Sequence, residues 1–100
     1  MAGFLSKIFG LQDNADYATL IANGAIILDV RTKEEYRQGH SQKSVNIPLD
    51  NLQQGLSKLK KDSTIIAVCA SGMRSKVAVS ILKREGFDKV YNGGSWTDFE

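Results

Sequence analysis

The stretch Thr64-Ile65-Ile66-Ala67-Val68-Cys69-Ala70-Ser71-Gly72-Met73-Arg74-Ser75 constrains this chain most, because an apolar run ends on the only cysteine and passes at once into a polar loop. The run reads as a buried strand, and Val77, Ala78, Ile81 and Leu82 then recur at helical spacing within Lys76 to Glu85. The loop therefore lies between a strand and the start of a helix, where backbone N–H groups lack intrahelical partners and the helix dipole favours an anion. A thiolate placed there is stabilised, so the pKa of Cys69 is expected to fall. Gly72 lets the loop curl until successive N–H groups turn inward around a negative atom, and Arg74 adds a permanent charge with a planar fork of donors. A buried core thiol is the alternative for a lone cysteine. The polar Ser71, Gly72, Arg74 and Ser75 that follow it favour a reactive one.

One hundred residues suit a single small domain, and 42% hydrophobic with 24% charged residues is the composition of an ordinary globular protein. No apolar run approaches membrane-spanning length, so a soluble, cytoplasmic chain with no membrane span is expected. A net charge of +2 is too mild to point to nucleic acid but suits a small anionic substrate. A lone cysteine makes no internal disulfide, which fits a reducing compartment. One Cys and one His are too few for the usual zinc clusters, so neither a metal nor another cofactor is expected.

Residues 1–12 form an N-terminal apolar segment carrying Phe4, Leu5, Ile8, Phe9 and Leu11, without the long apolar core or cleavage site of a signal peptide. It is expected to pack on the domain or fray; a membrane-surface or partner-binding helix is the alternative. Asp13 or Asn14 is expected to cap a short helix through Ala22, with Tyr17, Leu20 and Ile21 inward and Gly24 past its end. Ala25 to Val30 reads as a strand buried on both faces of a parallel sheet, and ligands in such sheets sit beyond the carboxyl ends of strands. Asp29 and Arg31 thus lie near the site, with an ion pair or helix cap before Thr32 to Gln38 as their structural role. His40, the only histidine, is either a base for Cys69 or a loop residue fixing backbone hydrogen bonds, and its position favours the second.

Val45 to Pro48 reads as a short strand, Leu49 to Leu59 as a helix with Leu52, Leu56 and Leu59 on one face, and Lys58, Lys60 and Lys61 as its solvated end. Gly86 closes the helix after the central loop, Lys89 to Tyr91 forms a last short strand, and Asn92-Gly93-Gly94 turns the chain. Trp96 and Phe99 are expected to cover an edge of the core. Strands alternating with helices point to an α/β sandwich around a mostly parallel sheet.

Leu28-Asp29-Val30-Arg31, Glu35-Tyr36, Gly39-His40, Asn46-Ile47-Pro48, the run Cys69 to Ser75, and Gly93-Gly94 with Trp96, in that order, resemble a single-domain rhodanese over residues 13–100. The resemblance implies a three-layer α/β sandwich whose five-stranded, mainly parallel sheet is flanked by helices. It also implies sulfurtransferase chemistry, in which Cys69 takes the sulfane sulfur of thiosulfate as a persulfide and yields it to cyanide or a thiol. In that mechanism the N–H groups of Ala70, Ser71, Gly72, Met73 and Arg74 hold the persulfide anion, while Asp29, Arg31, His40 and Ser75 support them.

Cys69 to Arg74 is C-x4-R, the six-residue loop that sulfurtransferases carry, whereas the related phosphatases and arsenate reductases have one residue more. The shorter loop suits sulfur better than a tetrahedral phosphate. Family members often have Gly-Ala where this chain has Lys43-Ser44, so Lys43 would be strained if that backbone needs a positive φ. Two further roles compete with turnover of a small anionic sulfur donor and a thiophilic acceptor. One is a sulfur carrier that hands its persulfide to a protein acceptor. The other is a redox sensor, which the absence of a second cysteine disfavours.

Overall fold

Along Thr64–Cys69 every residue after the first is buried, so this run sends apolar side chains into both faces of a sheet rather than one. In the computed structural model, which describes residues 16–100, the run is an interior strand. The elements follow as α1 (Tyr17–Ala22), β1 (Ile26–Asp29), α2 (Lys33–Gln38), β2 (Ser44–Asn46), α3 (Leu52–Gly55), β3 (Thr64–Cys69), α4 (Met73–Arg84) and β4 (Lys89–Ser95). Short 3-10 turns flank α3, and another, Trp96–Phe99, follows β4. The sheet order is β2-β1-β3-β4, with every neighbouring pair parallel. This is the expected α/β architecture, a parallel sheet flanked by helices, but the described residues supply four strands where five were expected.

The period of two along each strand divides the core. Leu28, Val30, Ile65, Ala67 and Cys69 pack on one face with Leu52, Ala78, Leu82 and Phe87. Ile27, Ile66 and Val68 pack on the other with Tyr17, Leu20, Ile21, Trp96 and Phe99, so the two late aromatic residues do cover the core. Strand periodicity thus places Cys69 on the α4 face.

Several boundaries differ from expectation, each for a local reason. Asp16 caps α1, accepting from the Thr19 N–H at 3.1 Å; Asp13 and Asn14 lie outside the described residues, as does the segment 1–12. The expected helix from Leu49 to Leu59 is a 3-10 turn, one α turn and a second 3-10 turn. Gly55 in its middle favours helix poorly, and a Cβ there would lie 2.8 Å from Ile47 Cγ2, so the glycine serves close packing. Its leucines still face the core. Helix α4 begins at Met73, earlier than the apolar spacing implied, because Arg74 and Ser75 belong to its first turn.

Asn92-Gly93-Gly94 does not turn the chain. Strand β4 continues to Ser95 by inserting one extra residue, since Ala67 pairs with Asn92 and Val68 with Gly94, leaving Gly93 in a bulge. Among the described residues only glycines have positive φ, so Lys43 carries no backbone strain and occupies an exposed turn.

Candidate active site

Cys69 ends β3 with 1% of its surface exposed, and the backbone then leaves the sheet through Ala70 and Ser71. Gly72 follows at φ +96°, a left-handed conformation that costs an L residue about 1–2 kcal/mol and a glycine little. That turn aims the Gly72 N–H at Cys69 Sγ, 3.0 Å away. Ser75 is the third residue of α4, so its N–H has no intrahelical acceptor, and it too donates to Sγ, at 3.3 Å. No side chain at Gly72 caps the helix; the cysteine sulfur fills that role from six residues upstream.

The thiol therefore sits in opposing influences. Burial pushes its pKa up, while hydrogen bonding at Ser75 and the N–H groups of Ser71 and Gly72 pull it down and prevail, leaving it below the ordinary thiol value. The donors differ from those expected. Ser75 lies one residue beyond the expected set, and the early start of α4 is what turns its N–H toward sulfur.

Arg74 does not point its fork at the sulfur. Its Nη1 and Nη2 donate to Glu35 Oε1 and Oε2 at 2.7 and 3.0 Å, a two-point pair that ties the first turn of α4 to α2. Glu35 is also the third residue of α2, where it closes a capping box with Thr32. The Arg74 hydrogen bonds, together with the Thr32 N–H, lower the Glu35 pKa to about 2. Glu35 in turn raises that of Arg74. The Thr32-x-x-Glu35 spacing made the cap legible, but nothing in sequence couples Glu35 to a residue 39 positions away.

Asp29 and Arg31 lie at the carboxyl end of β1 and pair with one another. Arg31 Nε and Nη2 donate to the Asp29 carboxylate at 3.0 and 2.8 Å, Nη2 also reaches the Gly39 carbonyl at 2.7 Å, and the guanidinium lies 4.4 Å from the centre of the Trp96 ring. Both are almost wholly buried, which gives them the ion-pair role among those expected. Exposed His40 stacks on Tyr36 at 3.7 Å between ring centres, with Nδ1 2.7 Å from the Tyr36 carbonyl. It makes no hydrogen bond to Cys69 among the described residues, so the loop role fits it and the base role does not. It lines a cavity of about 440 Å³ with Ile21, Lys43 and Phe99, away from the loop and from Cys69.

A second cavity, of about 360 Å³, opens at the loop itself between Tyr17, Ser71, Gly72, Met73, Asn92 and Gly94. Asn92 was not legible as a site residue. Its amide reaches the loop because Asn92 pairs with Ala67 and so shares the Cys69 face of the sheet, and an asparagine within a strand was the only available signal. Oδ1 accepts from Ser75 Oγ at 2.6 Å and from the Gly94 N–H at 3.0 Å, while Nδ2 donates to the Gly72 carbonyl at 3.1 Å. Among the described residues no three His, Cys, Asp or Glu side chains cluster as metal ligands, and no helix is long and apolar enough to cross a membrane.

Comparison with known proteins agrees with this fold. The chain is 36% identical over 104 residues to thiosulfate sulfurtransferase 18 of Arabidopsis thaliana, covering 86% of this chain and 76% of that one. It is 41% identical over 66 residues to YrkF of Bacillus subtilis, named as a candidate sulfur carrier protein, covering 66% of this chain but only 36% of that one. The chain spans a similarly partial 56% of a further relative, HIGH ARSENIC CONTENT 1 of A. thaliana. A solved structure of a rhodanese with anions from E. coli superposes with a TM-score of 0.70 at 32% identity, over 75% of this chain and 91% of that one. The model of the rhodanese-like domain matches residues 13–100, and the chain belongs to that family.

Proposed function

We propose that this chain is a sulfurtransferase that moves sulfane sulfur from thiosulfate or a related anionic donor to cyanide or a thiol through a persulfide on Cys69. The observation that carries this reading is Sγ held by the Gly72 N–H inside a six-residue loop and by the Ser75 N–H just past it. The Cys69 thiolate attacks the outer sulfur of thiosulfate, the S–S bond breaks, and sulfite leaves with its electron pair. The terminal persulfide sulfur then faces the loop donors as an anion. Cyanide attacks that sulfur, thiocyanate departs, and the thiolate returns. Neither half-reaction needs a general acid at the leaving group, since sulfite and the thiolate are both stable anions. The similar E. coli rhodanese, solved with anions, supports an anionic donor. A reducing compartment such as the cytoplasm keeps the thiol free for this cycle.

A second reading is a carrier that yields its persulfide to a protein acceptor. Similarity to the candidate sulfur carrier favours it, as do Met73 and Val77, one helical turn apart beside the loop and 72% and 49% exposed.

One experiment tests both. Incubated with thiosulfate and weighed intact, the protein gains one sulfur atom, which cyanide removes as thiocyanate; Cys69→Ala gains none. Equal behaviour of the two proteins overturns the sulfurtransferase reading. A persulfide that forms but passes only slowly to both cyanide and small thiols selects the carrier.

A further inference from the structure

The Asn92 amide has only one orientation open to it. The Gly72 carbonyl can only accept and the Gly94 N–H can only donate, so Nδ2 faces the first and Oδ1 the second. Oδ1 is also 2.6 Å from Ser75 Oγ, and an amide oxygen only accepts, so the single hydroxyl hydrogen of Ser75 goes to Asn92. What Ser75 Oγ then offers Cys69 is a lone pair, and the thiol donates to it across 3.5 Å. A thiolate has the opposite need, because it only accepts. It can draw the Ser75 hydrogen only by taking it from Asn92.

We propose that Asn92 is a positioning residue for Cys69, holding the Ser75 hydroxyl as an acceptor so that it withholds one donor from the thiolate and tempers the ionisation that the loop N–H groups favour. The residue acts through Ser75 and does not touch the sulfur. The charged groups around this end of the sheet are committed elsewhere: Arg74 of α4 to Glu35 of α2, and Arg31 to Asp29 at the end of β1. Strand β4 brings Lys89, but that residue pairs with Thr64 at the opposite end of β3 from Cys69. The Tyr17 hydroxyl meets the Asn92 backbone carbonyl rather than its amide. The hydroxyl of Ser75 is thus the one nearby donor whose direction a neighbouring side chain sets, and β4 reaches it because Asn92 pairs with Ala67, on the same face of the sheet as Cys69.

The inference rests on Cys69 being the reactive group but not on sulfur transfer, so its test uses alkylation instead. The rate of reaction with iodoacetamide across pH gives the midpoint of thiol ionisation. Asn92→Ala frees the Ser75 hydroxyl to donate to the thiolate, so the midpoint moves down and alkylation below it is faster by roughly three- to tenfold, the worth of one ordinary hydrogen bond. In a Ser75→Ala background the same Asn92→Ala change leaves the midpoint where it was. A lower melting temperature with an unmoved or raised midpoint overturns the proposal, as does a shift that persists without Ser75. Should Asn92→Ala not fold, Asn92→Leu fills the same space without donor or acceptor and carries the same expectations. Loss of thiosulfate turnover in the wild type would sink the sulfurtransferase reading and leave this result standing.

Discussion

At the scale of single residues, the site depends on where the backbone can go rather than on which side chains are reactive. Gly72 is the clearest case, because its φ of +96° is what brings its own N–H within 3.0 Å of sulfur. Gly72→Ala is expected to lose about 1–2 kcal/mol by denaturant unfolding, from the left-handed backbone alone. It also moves a donor off the thiolate, so the alkylation midpoint should rise. An unchanged midpoint would show that the Ser75 N–H suffices. Gly93 is constrained differently: a Cβ there would lie 2.7 Å from Ile66 Cγ2 and 3.0 Å from the Phe99 ring. The glycine pair near the end of the chain therefore builds a bulge directly after Asn92.

At the scale of elements, α2 and α4 brace the loop through one ion pair. Glu35 caps its own helix and holds Arg74 in the first turn of the other, so a single carboxylate fixes two helix starts. Its pKa in the folded protein, about 2, lies below the ordinary 4.5. The pair thus contributes stability above about pH 4.5 and loses it as pH falls towards 2. Both side chains are 36% exposed and screened by water, so the contribution is about 1 kcal/mol or less. Glu35→Gln should flatten the fall in melting temperature between pH 5 and pH 2, whereas a profile as steep as wild type would assign that fall to other carboxylates. Arg74→Ala is expected to slow sulfur loading by roughly tenfold while costing little stability, since the exposed pair carries little folding energy. Unchanged loading with a reduced melting temperature would make the bridge purely structural.

At the scale of the whole molecule, the parallel sheet gathers its strand ends on one side, and a buried Asp29–Arg31 pair closes that side beside β3. Asp29→Ala leaves a buried guanidinium without its counter-ion and should cost about 3–5 kcal/mol in denaturant unfolding. A loss under 1 kcal/mol would mean that Gly39 and Trp96 satisfy Arg31 alone. Sequence by itself determined the layered α/β fold, the strand that ends on Cys69, and the loop length. Those features rest on continuous apolar runs, helical spacing and residue count, all of which are local. It also offered an ion pair as one of two structural roles for Asp29 and Arg31, because two residues apart at a strand end they are close neighbours. Only the tertiary structure decided that Arg74 belongs to Glu35, that Asn92 reaches Ser75, and that β4 bulges rather than turns. Each of those depends on side chains brought together from 17 or 39 residues apart, or on register between strands, and hydrogen-bond geometry at that range is fixed by packing.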